Sequence, residues 1–334
     1  MDTASPRMTL ADLRSSGRLW AFDFTAGESA ALTEIAEPNP AADWNWSHFA
    51  LSDNRSRIYI ERRADLPESV RKVLLGEEIR VQTHVDGDWC FGVLPDFEHE
   101  FDGRNSGGGR LNFAFDSRRL ITTRRHPQHV VDCVRRQVEK NALKLAGPIE
   151  GINAFVTGFV DTTEEHLVKL AADLDHAEDS VLGDHGDLEA FRLGPLRREL
   201  SGYHREFVAL RSAFHRAGSH RNAARGGPLI ERLQPVLLEI EDFDRDIAGL
   251  QDRAKLLHDE IDAKLNAAAN RSLRVLTILS TLLLPPTLIV GAFGMNLHGI
   301  PWENQADGFW PAAFLCVVVV GICAWALWAA RVLR

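Results

Sequence analysis

The sequence predicts an α/β domain, then a long α-helical stalk, then two transmembrane helices in each chain. Three observations predict it. Val275 to Phe293 and Phe309 to Ala330 carry no charged residue, and a bilayer core of about 30 Å needs about 20 helical residues at about 1.5 Å each. Apolar residues at mostly three- and four-residue spacing run through Ile230, Leu233, Leu237, Ile240, Phe243, Ile247, Leu250, Leu257, Ile261 and Leu265, with no break before the first uncharged run. The first part of the chain, by contrast, mixes strand-like alternation with a short helix. The totals for the 334 residues, a net charge of -9 and 45% hydrophobic residues, match an ordinary soluble chain. The distribution does not.

Residues 1–127 read as the α/β domain. Leu19–Phe24, His48–Ser52, Ile79–Val85, Trp89–Phe97, Arg110–Asp116 and Arg118–Arg125 are strand-like. Pro67–Gly76 reads as a helix, with proline at its start and glycine past its end. The glycine run Asn105–Arg110 lacks the GK[ST] ending of a phosphate-binding loop and is expected as a hairpin loop. No uninterrupted apolar stretch opens the N-terminus, so no cleaved signal peptide is expected.

Residues 128–227 read as helical, over His129–Ala146, Asn153–Leu182 and Leu188–Ala217, with turns at Gly183–Gly186 and Gly218–Pro228. The stalk, 228–274, continues into the first span, 275–293, as one helix of roughly 65 residues, about 100 Å long. A helix of that length calls for partners along its apolar stripe. Acids crowd it from Glu231 to Asp262. They form either a solvated face or a vestibule that concentrates cations.

An outer loop, 294–308, separates the first span from the second, 309–330, and a tail, 331–334, follows. Lys264, Arg271 and Arg274 precede the first span, Arg331 and Arg334 follow the second, and the loop has no lysine or arginine. Both termini are therefore expected on the cytoplasmic side and the loop outside. Of four cysteines, Cys316 and Cys323 share a face of the second span and read as small packing residues rather than a metal pair; Cys90 and Cys133 form no CxxC pattern.

Two spans enclose nothing alone, so a conduit requires several copies. Asn270, Thr277, Thr281, Leu284, Thr287 and Gly291 make one stripe of the first span. It lines a pore, or its threonines simply bond back to their own helix. Pro285-Pro286 frees backbone carbonyls inside the span and is expected to kink it. At the outer end stand Gly294, Met295 and Asn296. A ring of asparagine amides could hold the water shell of a divalent cation without stripping it, which suits Mg²⁺, and weaker binding than a carboxylate's favours release. Gly294 allows a tight turn or a close approach of chains.

Phe293-Gly294-Met295-Asn296, placed after a stalk and an uncharged span, resembles the signature of the CorA metal-ion transporter family. The stretches NLHGIPW and FDSRRLITTRRHP are most similar to its ZntB branch, associated with zinc. The resemblance implies a homopentameric funnel with a central pore, in a bacterial inner membrane. It also implies Asn296 as the outer ion-recognition residue, acting on the hydrated ion, and a pore line of Asn270, Leu273, Leu276, Leu284 and Thr287 beside Thr277 and Gly291. One departure is the short RVLR end, where relatives carry a basic cluster.

Thirteen histidines show no HxxxH or HExxH pattern, so a resident zinc site is not indicated. His298 in the outer loop either faces solvent or offers imidazole to passing Zn²⁺, and Glu303 and Asp307 attract cations to the outer mouth. The cargo expected is Zn²⁺ or Mg²⁺, with Co²⁺, Ni²⁺ and Cd²⁺ as further candidates; no covalently bound cofactor and no nucleic acid partner are expected. Partners are further copies of the chain, the lipid bilayer and the cations themselves. Three functions compete: a zinc transporter, coupled to protons or not; a Mg²⁺ or Co²⁺ channel gated by metal bound to the cytoplasmic domain; and a membrane sensor or scaffold that conducts nothing. Without a nucleophile elbow, Walker loop or dinucleotide fingerprint, no enzyme is expected.

Overall fold

The structure, a computed structural model, describes residues 17–25, 30–32, 41–99, 105–183, 186–217, 223–295, 301 and 309–329. The chain divides into two compact units, one of Met1–Asp179 with Phe191–Lys255, the other of Ser180–Ala190 with Leu256–Arg334.

The first unit is built on seven strands: β1 (Arg18–Phe24), β2 (Ala31–Leu32), β3 (Trp44–Ala50), β4 (Gln82–Asp86), β5 (Trp89–His99), β6 (Asn105–Phe115) and β7 (Arg119–Arg124). Their order is β2-β1-β3-β7-β6-β5-β4. Only β3 and β7 pair in parallel, Trp46 opposite Leu120, and the other neighbours are antiparallel.

Two short helices cover one face of the sheet. α1 (Asn54–Glu61) is absent from the sequence reading because only Ser56 and Ile60 along it are buried, too few for an apolar stripe. Its start is nonetheless written locally: the Asp53 carboxylate accepts the Arg55 N–H at 2.9 Å. α2 (Glu68–Leu74) follows Pro67 and ends before Gly76, whose φ of +70° needs glycine. Ile60, Leu66, Val70 and Leu74 pack there with Phe49, Phe91 and Ile121 from the strands.

The opposite face carries α3 (His129–Glu139), α4 (Pro148–Leu182), α5 (Gly186–Ala217) and the first part of α6 (Ala223–Phe293). Ring contacts hold the layers: Trp46 on Phe155 at 5.4 Å, Phe97 on Phe159 at 5.1 Å and Phe207 on Phe243 at 6.4 Å. α3 stops well short of Ala146, since Asn141 enters the left-handed region at φ 54°.

The glycine run corrects the loop expected there. Asn105–Arg110 opens β6, and β5 shifts register against it so that Phe97 faces Gly107 and Asp96 faces Gly109. Gly108 is the extra residue of this bulge, at φ +120°, and a Cβ on Gly109 would stand 2.7 Å from the Asp96 carbonyl oxygen. Glycine is needed here for backbone geometry, not for a turn.

α6 is continuous over 71 residues, about 107 Å at about 1.5 Å per residue. It begins at Ala223, inside the stretch read as a turn, and runs on through Pro285 and Pro286 as helix. The partners of its apolar stripe are in the same chain. Leu233, Leu237, Ile240, Ile247 and Ala254 are buried. Polar links reinforce the packing in the first unit: Arg232 to Glu150, His204 to Asp244, and Arg253 to both Asp175 and Glu178. In the second unit, Lys264 donates to the Val181 carbonyl at 2.6 Å from the same helix. That unit is completed by α7 (Phe309–Ala329).

Candidate functional site

The second half of α6 and all of α7 are long and apolar enough to cross a membrane. Each is covered along one side only. On α6 the half-covered residues are Ile278, Thr281, Leu282, Pro285, Pro286, Ile289 and Phe293, which recur at three and four and form one face. On α7 the covered residues are Pro311, Ala312, Ala313, Cys316, Val319, Val320, Cys323, Ala324 and Leu327. That face is rich in small side chains, as close helix packing requires, and it includes both cysteines.

The other face of α6 is uncovered. Asn270, Leu273, Leu276, Thr277, Leu284, Thr287 and Gly291 are all exposed, Leu284 at 73%. At about 100° per residue they centre nearly opposite the half-covered face. Thr281, part of the first sequence stripe, sits at the edge of the covered face instead. The geometry adds Ser280, exposed and seven residues from both Leu273 and Thr287; that spacing was the signal available in the sequence.

The chemistry of this face is neutral. No carboxylate, imidazole or thiol occurs from Asn270 to Met295. The Thr277 hydroxyl donates to the Leu273 carbonyl at 2.8 Å and the Thr287 hydroxyl to the Leu283 carbonyl at 2.7 Å. Both donors are thus satisfied within the helix, and what each threonine offers outward is its oxygen lone pairs. The face therefore offers weak neutral acceptors rather than strong metal ligands.

The helix closes at its C-terminal end through Gly294, whose N–H donates to the Val290 carbonyl at 2.9 Å, and Met295, whose N–H donates to the Ala292 carbonyl at 3.4 Å. Asn296, His298, Glu303 and Asp307 lie outside the described residues. Gly291 has open space where a Cβ would stand, so a neighbouring backbone could approach it closely.

Mixed sheet, three-layer α/β unit, one helix carried on into a membrane-length segment and a second apolar helix: together these define a membrane-anchored α/β protein with a two-helix hairpin. The family follows from comparison. The model described as CorA-like Mg²⁺ transporter protein matches residues 41–331, and the chain belongs to that family, a family of transporters and not of enzymes. Among curated relatives, the zinc transport protein ZntB of Yersinia enterocolitica is 27% identical, over 84% of this chain and 85% of the relative. ZntB of Pectobacterium carotovorum is 24% identical over 94% and 95%. The fold is shared with the full-length CmaX protein, at TM-score 0.71 and 19% identity over 99% of this chain and 100% of the other. It is also shared with the CorA magnesium transporter of Methanocaldococcus jannaschii, at TM-score 0.68 and 16% identity over 92% and 96%.

Proposed function

We propose that the chain moves Zn²⁺ across a bacterial inner membrane through a homopentameric pore lined by α6. The observation that carries this reading is the neutral, uncovered face of α6 from Asn270 to Gly291, opposite the half-covered one. One hairpin leaves that face open, and a ring of copies would turn it inward onto water. Asn296 follows three residues after the last residue of α6, Phe293, where five amides can hold the ion through its waters. His298, Glu303 and Asp307 serve as the outer funnel, with both termini on the cytoplasmic side. Zinc is favoured over magnesium by the names of the curated relatives and by the outer histidine.

Uptake of Zn²⁺ into proteoliposomes, with and without an imposed proton gradient, tests the reading. Asn296→Ala is expected to lower uptake at least tenfold while the protein still assembles; unchanged uptake would overturn the amide ring. The second reading, a Mg²⁺ or Co²⁺ channel, is favoured by the absence of imidazole and thiol on the α6 face. Mg²⁺ flux that excess Zn²⁺ fails to inhibit would establish it, and no flux of either ion would leave the sensor or scaffold.

A further inference from the structure

The charge along α6 changes sign at one place. Ten acids lie between Glu231 and Asp262, and none from Ala263 to Met295. The arginines of the acidic stretch are paired: Arg232 with Glu150, Arg245 with Asp242, and Arg253 with Asp175 and Glu178. Lys264 donates to the Val181 carbonyl and stands 3.9 Å from Glu260. Arg271 and Arg274 are different. Both are exposed, and neither side chain has an ion pair or hydrogen bond among the described residues. Three residues apart, they are neighbours on the helix surface and repel each other, a repulsion that an anion between them would relieve.

Their position says which anion. Arg274 directly precedes Val275, the first residue of the uncharged run, and Arg271 stands four residues before it, about 6 Å along the axis at about 1.5 Å per residue. The headgroup layer on each side of a bilayer's hydrocarbon is about 5–7 Å deep. Both guanidiniums therefore reach the level of lipid phosphates. α7 marks the two faces of the bilayer independently. Trp310, 71% exposed, lies in its first turn, and Trp325 and Trp328, 68% and 57% exposed, lie in its last two. Indoles at both ends of a span are the pattern of a chain anchored at the two interfaces.

We propose that Arg271 and Arg274 clamp the phosphate of an anionic phospholipid in the cytoplasmic leaflet. A guanidinium meets phosphate through two parallel N–H donors, and two guanidiniums on one helix face can share one headgroup. The clamp also has a charge to offset, because an anionic leaflet repels the acidic stalk that ends just before it. A zwitterionic lipid carries the same phosphate, but its choline cation cancels the attraction. The site rests on α6 entering the membrane at Val275 from the cytoplasmic side, and not on the pore or its cargo.

Thermal unfolding of the full chain in dodecyl maltoside, followed by tryptophan fluorescence while POPG, POPC or inorganic phosphate is added, tests this. The proteins are the wild type, Arg271→Gln, Arg274→Gln, the double variant and Arg245→Gln. POPG is expected to raise Tm saturably in the wild type. Each basic residue at an anionic surface contributes about fivefold in binding, so the midpoint should rise about fivefold in each single variant and about thirtyfold in the double variant. Arg245→Gln, 26 residues earlier on the helix and already paired, should match the wild type. If the double variant fails to insert, the two single variants carry the test. A POPG effect that is absent, or equal in wild type and variants, overturns the proposal. So does equal stabilisation by POPC, which reduces the effect to lipid solvation, or by inorganic phosphate, which assigns the pair to a soluble anion.

Discussion

Asp96 gives the sharpest test of how the α/β unit is held. Gln128, the capping residue before α3, makes no side-chain capping bond, so the first amides of the helix need an acceptor from elsewhere. Asp96 on β5 supplies it: Oδ1 accepts from Val130 N at 2.8 Å and Phe97 N at 2.6 Å, and Oδ2 from Val131 N at 3.2 Å. Burial outweighs these bonds and, helped by the charge of Asp132, pushes the carboxyl up to about 7 from 3.8. The sign follows from linkage. Between those values the folded chain holds a proton that the unfolded chain has released, so stability falls as pH rises. The loss starts as pH passes 3.8, is complete above about 7, and reaches about 4 kcal/mol at about 1.36 kcal/mol per tenfold change. Asp96→Asn removes the charge and keeps an acceptor at Oδ1. Pulse proteolysis in urea, run from pH 4 to 8 on both proteins, is expected to show the variant gaining on the wild type as pH rises, by up to about 4 kcal/mol. Parallel curves would refute the argument, because a carboxylate that stays charged throughout contributes no such slope.

Further outcomes follow from other positions. His48 is fully buried, and burial with nearby Arg124 and Arg135 holds its imidazole well below 6.5; stability is therefore lost as pH falls below about 6.5, and His48→Phe should flatten that acid limb in the same assay. Gly108→Ala, at φ +120° in the bulge, should cost about 1–3 kcal/mol in urea unfolding. Thr287→Val removes a hydroxyl whose proton is already given to Leu283, so Zn²⁺ uptake should fall by less than the tenfold loss expected of Asn296→Ala.

What the sequence made legible depended on how far each signal reached along the chain. β1, β5, β7 and α2 stand close to where alternation, proline and glycine put them, because those cues act over a few residues. α1 was hidden because its anchors, Ser56 and Ile60, form no stripe. The glycine run of Asn105–Arg110 has the local look of a hairpin loop, because a bulge needs a partner strand and Asp96 opposite Gly109 is invisible to local spacing. The stalk stripe was legible but its partner was not. Phe243 stacks on Phe207 from α5, a contact between residues far apart in sequence, where periodicity alone suggested another copy.

That intrachain cover bears on where copies would have to meet. Down to Ala254 the apolar stripe of α6 is buried within its own chain, so it leaves association little to gain by hydrophobic burial there. Beyond Leu265 the helix shows an exposed face on every residue named in the pore line, while α7 presents small side chains on its covered side. In lipid, exposed leucines such as Leu284 and Leu288 are no cost; an exposed amide or glycine face is different, because Asn270 and Gly291 gain nothing from acyl chains. Copies meeting along Asn270, Thr277, Ser280, Thr287 and Gly291 would place these groups against water or one another. Leu288→Asn adds an amide beside the pore line and Leu279→Asn adds one on its far flank, both on residues exposed in the chain. If the face lines water, Leu288→Asn should insert and assemble as the wild type does in blue native electrophoresis, while Leu279→Asn, facing lipid, should lower the yield of assembled protein. Equal behaviour of the two would show that the face meets lipid, and the pore line would fall with it.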